Sequence, residues 1–229
     1  MFTLGLDLTR NQQMDRLTYR IIRRHLKKDG NCIDVGCHKG EVLEWFIRFA
    51  PEGRHTGFEP IPQLYERLLT QFAHTSCRFY PYALSDEAGE TEFVYVPEAP
   101  AYSGLKERDY DGRHVHPQRI PIQVRRLDDL IPADMPVSLL KIDVEGGELG
   151  VLKGAVKLLE RDKPLVVFEH GKGASDHYGT TPDMIMELFS GVGMEVYTLP
   201  DYLDQKKPLT PERFRKEFEQ GTQYYFVAK

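Results

Sequence analysis

The segment Ile33-Asp34-Val35-Gly36-Cys37-His38-Lys39-Gly40 constrains this chain more than any other, because a short apolar run breaks there into a glycine turn and a helical pattern follows over 42–49. Strand, glycine loop and helix open a βαβ unit, and such units fold in only a few ways because parallel crossovers are right-handed. The same alternation recurs down the chain. Short apolar runs at 32–35, 55–58, 77–84, 138–144 and 165–168 read as strands. Helical spacings mark 12–26, 42–49, the stretch carrying Leu64, Leu68, Leu69 and Phe72, then 148–159, 182–189 and 211–218. Further strands are expected at 91–96, 120–127, 195–199 and 224–228, while 97–121 is a long Pro-, Gly- and His-rich surface loop. The reading is one doubly wound α/β domain over 1–229, with a helical extension at 1–30 and extra β segments before the fourth core strand.

Composition removes several classes of function. Thirty basic against thirty-five acidic residues leave a net charge of -5, so no whole-surface field gathers nucleic acid or anionic lipid. No apolar run approaches the roughly 20 residues needed to cross a bilayer. Residues 1–13 lack the basic region and apolar stretch of a secretory signal, so the expected compartment is the cytoplasm. Three cysteines, Cys32, Cys37 and Cys77, fit free thiols there. The oligomeric state is left open.

The glycine loop reads D-x-G-x-x-x-G, and Glu59 closes the next strand 19 residues after Gly40. A glycine turn followed by an acidic strand end is the architecture of an adenosine-type site, with the acid placed for ribose hydroxyls. The loop lacks the G-x-G-x-x-G of dinucleotide sites and carries a carboxylate where that fingerprint has its first glycine. A carboxylate there repels a pyrophosphate but favours the cationic end of S-adenosylmethionine, which has no phosphate. The alternative for the glycines alone is a plain strand-to-helix turn.

With these segments stand Gly57-Phe58-Glu59-Pro60, Ala83-Leu84-Ser85-Asp86, Leu127-Asp128-Asp129-Leu130, Leu140-Lys141-Ile142-Asp143-Val144-Glu145-Gly146, Glu148 and Val151-Leu152-Lys153-Gly154-Ala155. In this order, over roughly residues 30 to 200, the chain resembles the FkbM-type methyltransferases within the class I S-adenosylmethionine-dependent superfamily. The resemblance implies a Rossmann-like, seven-stranded, mostly parallel sheet with its last strand antiparallel. It also implies methylation of a hydroxyl of a sugar, glycan or natural product. Asp34, Gly36 and Gly40, with His38 in the same loop, are then expected at the methionine part, Glu59 and Pro60 at the ribose, and Ala83 and Leu84 near adenine. Cys37 stands where the family often carries alanine.

Asp143 and Glu145 end one strand and Glu169 and His170 its neighbour, so these are the candidates for substrate contact and proton transfer. His170 is the expected general base, because the unperturbed pKa of histidine, about 6.5, suits proton transfer near neutrality. A divalent metal on Asp143, Glu169 and His170, or zinc on Cys32, Cys37 and His38, is weighed and disfavoured, so no metal is expected. His114, His116, Tyr102 and Tyr110 are candidate contacts from the loop, and Arg113, Arg119, Arg125 and Arg126 a candidate receptor for an anionic acceptor. Lys141 is either a buried ion-pair partner or an activating group. Competing readings are N- or carboxyl-methylation of another small molecule, an NAD-dependent oxidoreductase, and a non-catalytic nucleotide-binding module.

Overall fold

A computed structural model describes residues 9–110, 112 and 114–229. Its central sheet is seven-stranded, in the order β3-β2-β1-β7-β8-β10-β9. These strands are β1 (Cys32–Val35), β2 (His55–Phe58), β3 (Arg78–Tyr80), β7 (Leu139–Ile142), β8 (Leu165–Glu169), β9 (Val196–Thr198) and β10 (Tyr225–Ala228). β1, β2, β3, β7 and β8 are mutually parallel, and β10 runs antiparallel to both β8 and β9. The chain steps outward from β1 through β2 to β3, then returns to place β7 on the other side of β1. The strand order therefore reverses between β1 and β7, and ligands of open α/β sheets bind beyond the strand carboxyl ends at such a point. Register aligns the two strands there, with Asp34 opposite Lys141 and Val35 opposite Ile142.

Helices cover both faces because the central strands are apolar on both sides: β1, β2 and β7 are buried at every position. One layer holds α1 (Arg10–His25), α2 (Glu41–Phe49) and α8 (Leu199–Leu203); another holds α5 (Glu148–Lys153), α6 (Val156–Asp162), α7 (Pro182–Gly191) and α9 (Pro211–Gln220). Local chemistry sets their ends. Thr181 and Thr210 accept from Met184 N and Arg213 N, and a proline whose amide would have no partner opens α7 and α9. In α1, Thr9 caps the start, and Arg23, Arg24 and His25 in the last turn complement the helix dipole.

The fold departs from the sequence expectations at three places. The single strand expected at 77–84 is two: β3 in the main sheet, and β4 (Tyr82–Leu84) in a second sheet of order β4-β6-β5. Pro81 separates them, having no amide to give to a ladder. The second sheet joins β5 (Gly89–Tyr95) to β6 (Gln118–Arg125), so the long connection is shorter than expected and contains a 3-10 turn at Pro100–Tyr102. The helix expected at 148–159 divides into α5 and α6 at Gly154. A Cβ on Gly154 would lie 2.3 Å from Ser85 O, so close backbone approach requires glycine there. The Asp128 carboxylate, in the short helix α4 (Leu127–Leu130), accepts from Lys157 N and Leu158 N at 3.1 and 3.0 Å and restarts the helix. α4 and α8 themselves had no distinct sequence signal; α3 (Pro62–Gln71) did.

Phe168 on β8 is fully buried, 5.2 Å ring to ring from Phe189 on α7 and 6.0 Å from Phe226 on β10. Phe168→Ala opens a cavity joining two elements to the sheet, and a loss of about 3–5 kcal/mol is expected in urea unfolding. A loss below about 1 kcal/mol would mean this contact is not central to the core.

Candidate active site

The carboxyl ends of β1, β2 and β7 floor a cavity of about 590 Å³. Asp34, Gly36, His38, Glu59, Pro60, Ala83, Leu84, Asp143 and Glu145 all line it, so nine of the residues singled out from sequence meet in one place. The glycine loop is shaped by the floor. Gly36 has φ +76°, and a Cβ on it would stand 1.9 Å from Asp143 O, so the β1 and β7 ends touch through backbone. Gly36 N and Cys37 N donate to Phe58 O at 3.0 and 3.1 Å, which ties the loop to β2. Gly40 is different. It does not line the cavity; its φ is +84° and a Cβ on it would stand 2.5 Å from the Phe72 ring, so it is the close-packed start of α2 against α3. The expectation that Gly40 touches a methionine tail is therefore corrected to a packing role.

Glu59 is buried, and its two oxygens accept from His38 N and Ile61 N, each at 2.9 Å. Burial pushes its pKa up to about 7, with the two amide donors opposing. Further along the cavity Pro60, Ile61, Tyr82, Ala83, Leu84 and Phe93 present a mostly apolar wall, backed by the second sheet. Asp34 is 1% exposed, and its Oδ1 has no hydrogen-bond partner; the Lys141 ammonium stands 3.8 Å from it. Burial raises the Asp34 pKa to about 6, with Lys141 opposing.

Lys141 reaches past the sheet end to Asp143 Oδ2 at 2.9 Å, and the Tyr225 hydroxyl donates to that same oxygen. Burial opposes both charges, but the two groups stabilise each other: Asp143 is held below the ordinary carboxylate value and Lys141 above the ordinary lysine value. Lys141 is thus an ion-pair partner. Glu145 has φ +57° and is salt-bridged to Arg108 from the connection between β5 and β6. Burial, then Asp143, lifts its pKa to about 8. Glu148, 1% exposed, accepts from Val144 N and Gly146 N at 3.1 and 3.0 Å and holds this strained turn in shape.

His170 is corrected most. It lies outside the cavity, fully buried, with its ring stacked 4.8 Å from Phe218 and 5.5 Å from Phe214 of α9. Neither ring nitrogen has a partner, and burial lowers its pKa to about 4. Successive residues of an extended chain face opposite ways, so Glu169 turns toward Asp143 and His170 turns away. A hydrophobic cage leaves no route for the imidazole to take a substrate proton.

The acidic group that does converge is Asp143, Glu145 and Glu169, with one oxygen of each within 4.8 Å of the others. Lys141 and Arg108 already neutralise two of these carboxylates. Among the described residues Cys32, Cys37 and His38 form no such group. The arginines expected to receive an anion are engaged elsewhere. Arg119 pairs with Glu92 and Glu107 at 3.5 Å, Arg125 bonds Gln123 and covers the Tyr82 ring, and Arg126 pairs with Asp128. None lines the cavity, and Arg113 lies outside the described residues. His116 pairs with Glu98 on the surface, His114 is exposed, and Tyr102 sits under the Arg108 guanidinium; with Tyr110, none of these lines the cavity.

Sequence reading missed a whole wall. Asn11, Asp15 and Thr18 of α1 and Glu41, Val42 and Trp45 of α2 line the cavity, as do Tyr225 and the strap residues Pro100, Ala101, Ser103 and Leu105. The 11, 15, 18 spacing is a helical stripe and was available as a signal; the partner of that stripe was not. The strap is held by the Val94–Gly104 bridge, by Lys106 N donating to the Tyr178 hydroxyl at 3.0 Å, and by Arg108 on Glu145.

The family model for the methyltransferase FkbM domain matches residues 34–198. Methyltransferase sdnD of Sordaria araneosa is 28% identical over 53% of this chain and 59% of its own length. Methyltransferase 1 of Beauveria bassiana (strain ARSEF 2860) is 26% identical over 55% and 58%. The chain thus spans under two thirds of the curated relatives it matches. Among solved structures, methyltransferase FkbM from Methylobacillus flagellatus KT superposes with a TM-score of 0.56 at 17% identity, covering 89% of this chain and 44% of that one. A putative rRNA-methylase from Clostridium thermocellum gives 0.51 at 10% identity, covering 99% and 96%. These two likenesses show the fold.

Because His170 is neutral when folded and its pKa falls to about 4, the unfolded chain binds its proton first as pH drops below about 6.5. Stability is therefore lost between about pH 6.5 and 4. His170→Phe should remove about 2 kcal/mol of that acid loss, read as the difference between the two proteins' urea unfolding free energies at pH 7 and pH 4.5. Parallel pH profiles would show that the ring titrates normally.

Proposed function

The chain belongs to the family of methyltransferase FkbM domains, and from that membership we propose an S-adenosylmethionine-dependent O-methyltransferase acting on a hydroxyl of a carbohydrate-like or natural-product acceptor. The observation that carries this reading is the buried Asp34 carboxylate, which lines the cavity at the point where strand order reverses, makes no hydrogen bond at Oδ1 and has only the Lys141 ammonium, shared with Asp143, 3.8 Å away. A buried carboxylate without a full partner is costly, and a cationic ligand repays it. A pyrophosphate would be repelled, which disfavours a nicotinamide dinucleotide.

The residues present suit the donor. Asp34 would receive its ammonium, Glu59 has lone pairs left for ribose hydroxyls, and the Ile61–Ala83–Phe93 wall would offer apolar surface to adenine. When bound, the donor supplies an electrophilic methyl on a sulfonium. What the protein supplies is orientation, since attack must be in line with the carbon–sulfur bond. Asp143 is the proton acceptor in this reading, displacing His170. Lys141 and Tyr225 keep it ionised and fix its orientation. Its low basicity is no obstacle: with donor bound, the acceptor hydroxyl would become acidic as its oxygen bonds the methyl carbon, and Asp143 would take that proton. Glu145, raised to about 8, holds its proton or its Arg108 partner near neutrality and orients the strap over the acceptor.

Calorimetric titration separates the readings. S-adenosylhomocysteine should bind at micromolar or tighter concentrations and NAD should not; binding of NAD alone would reject the methyltransferase reading. Asp143→Asn should lower kcat by about 10²–10⁴ while leaving S-adenosylhomocysteine affinity intact, and full activity would remove Asp143 from proton transfer.

Acid should weaken donor binding. Asp34 and Glu59, at about 6 and about 7 in the free protein, take up protons as pH falls. The ligand prefers them ionised, so S-adenosylhomocysteine affinity should fall from pH 8 to pH 5, less steeply in Asp34→Asn. A flat profile would contradict the assignment of both carboxylates.

A further inference from the structure

Among the described residues six carboxylates line the cavity: Asp15, Asp34, Glu41, Glu59, Asp143 and Glu145. Lys141 is the one lysine or arginine among its described lining residues. Four of the six have partners: Asp143 and Asp34 share Lys141 at 2.9 and 3.8 Å, Glu145 pairs with Arg108, and Glu59 receives two backbone amides. Asp15 and Glu41 remain, while the donor's sulfonium, ammonium and carboxylate sum to a single positive charge that Asp34 would receive. The cavity keeps an acidic surplus after the donor is counted.

That surplus sits on one wall. Asn11, Asp15 and Thr18 follow one another at helical spacing on α1, and Glu41 and Trp45 are one turn apart on α2, so each set shares a helix face. The two faces meet, with Tyr19 of α1 and Trp45 rings 5.5 Å apart at 85°. Carboxylates beside an indole are the chemistry that receives an ammonium: charge pairing from one side and the ring quadrupole from the other. The Asp34 carboxylate, almost fully buried and with no hydrogen bond at Oδ1, lines the same cavity.

We infer that the methyl acceptor is a hydroxyl compound bearing a cationic amine, whose ammonium is received by Asp15, Glu41 and Trp45 on the α1–α2 wall. This deepens the methyltransferase reading and rests on it. The amine anchors the acceptor at that wall while its hydroxyl faces Asp143. Acceptors carrying carboxylate or phosphate are rejected, because among the described residues no unengaged cation lines the cavity and several carboxylates do.

Trp45 is the sole tryptophan of the chain, so its fluorescence reports on this wall. The probes are glucosamine, glucose and glucuronate, each titrated into protein saturated with S-adenosylhomocysteine. Glucosamine should bind at least about tenfold more tightly than glucose, and glucuronate more weakly than glucose. Asp15→Asn should bring glucosamine to within about threefold of glucose while S-adenosylhomocysteine affinity holds. Glu41→Gln, on the other helix, should act in the same direction and serves if Asp15→Asn misfolds. No discrimination among the three sugars, including absence of any binding, overturns the inference. So does a loss of S-adenosylhomocysteine affinity in Asp15→Asn as large as the loss for glucosamine, which would give Asp15 to the donor's own ammonium. Failure of the native protein to bind S-adenosylhomocysteine at all is a separate result and overturns the underlying methyltransferase reading.

Discussion

One lysine between two carboxylates organises the functional end of this sheet. Lys141, the register partner of Asp34 in the paired strand, stands 3.8 Å from that residue and 2.9 Å from Asp143. Taking such charges out of water costs several kcal/mol per ion, and their attraction offsets this only where geometry is good. The cluster is therefore weakly justified by stability and better justified by what it does to the groups around it. It holds Asp143 ionised at the strand end and leaves Asp34 half-compensated, with no hydrogen bond at Oδ1 and the lysine 3.8 Å away. The polarity of the site follows from that imbalance.

Around this centre the backbone is held in conformations that only a few residues tolerate. Gly36 lets the β1 end touch the Asp143 carbonyl, and the positive φ values at Glu145 and Gly146 turn the β7 end across the cavity floor. Glu148 binds the amides of that turn from below, and Arg108 binds the Glu145 carboxylate from above. Floor and strap are thereby linked through one short segment. A change in the strap would be felt at Glu145 and, through the turn, at Asp143.

The fold was legible in the sequence because the periods of apolar residues, near 2 in strands and 3.6 in helices, report burial directly. What period cannot report is which sheet a strand joins, and Pro81 therefore divided a run that looked continuous. Gly154 broke α5 from α6 for a reason located at Ser85, far earlier in the chain. The cavity floor was legible from motif spacing, since strand ends converge wherever the order reverses. His170 was misread because adjacent strand residues face opposite ways, and only the packing of α9 decides which of Glu169 and His170 looks inward. Tyr225, Asp15 and Trp45 reach the cavity from elements far apart in sequence, and their types alone carried no sign of it.

The central claim is that Asp34 waits as a buried, half-satisfied carboxylate for a positively charged ligand. Carbon-detected NMR of labelled aspartate carboxyls, assigned with Asp34→Asn, measures its titration with and without S-adenosylhomocysteine. The account predicts a midpoint near 6 in the free protein, moving down when the ligand's ammonium arrives. A midpoint that stays in place or rises on binding would contradict it.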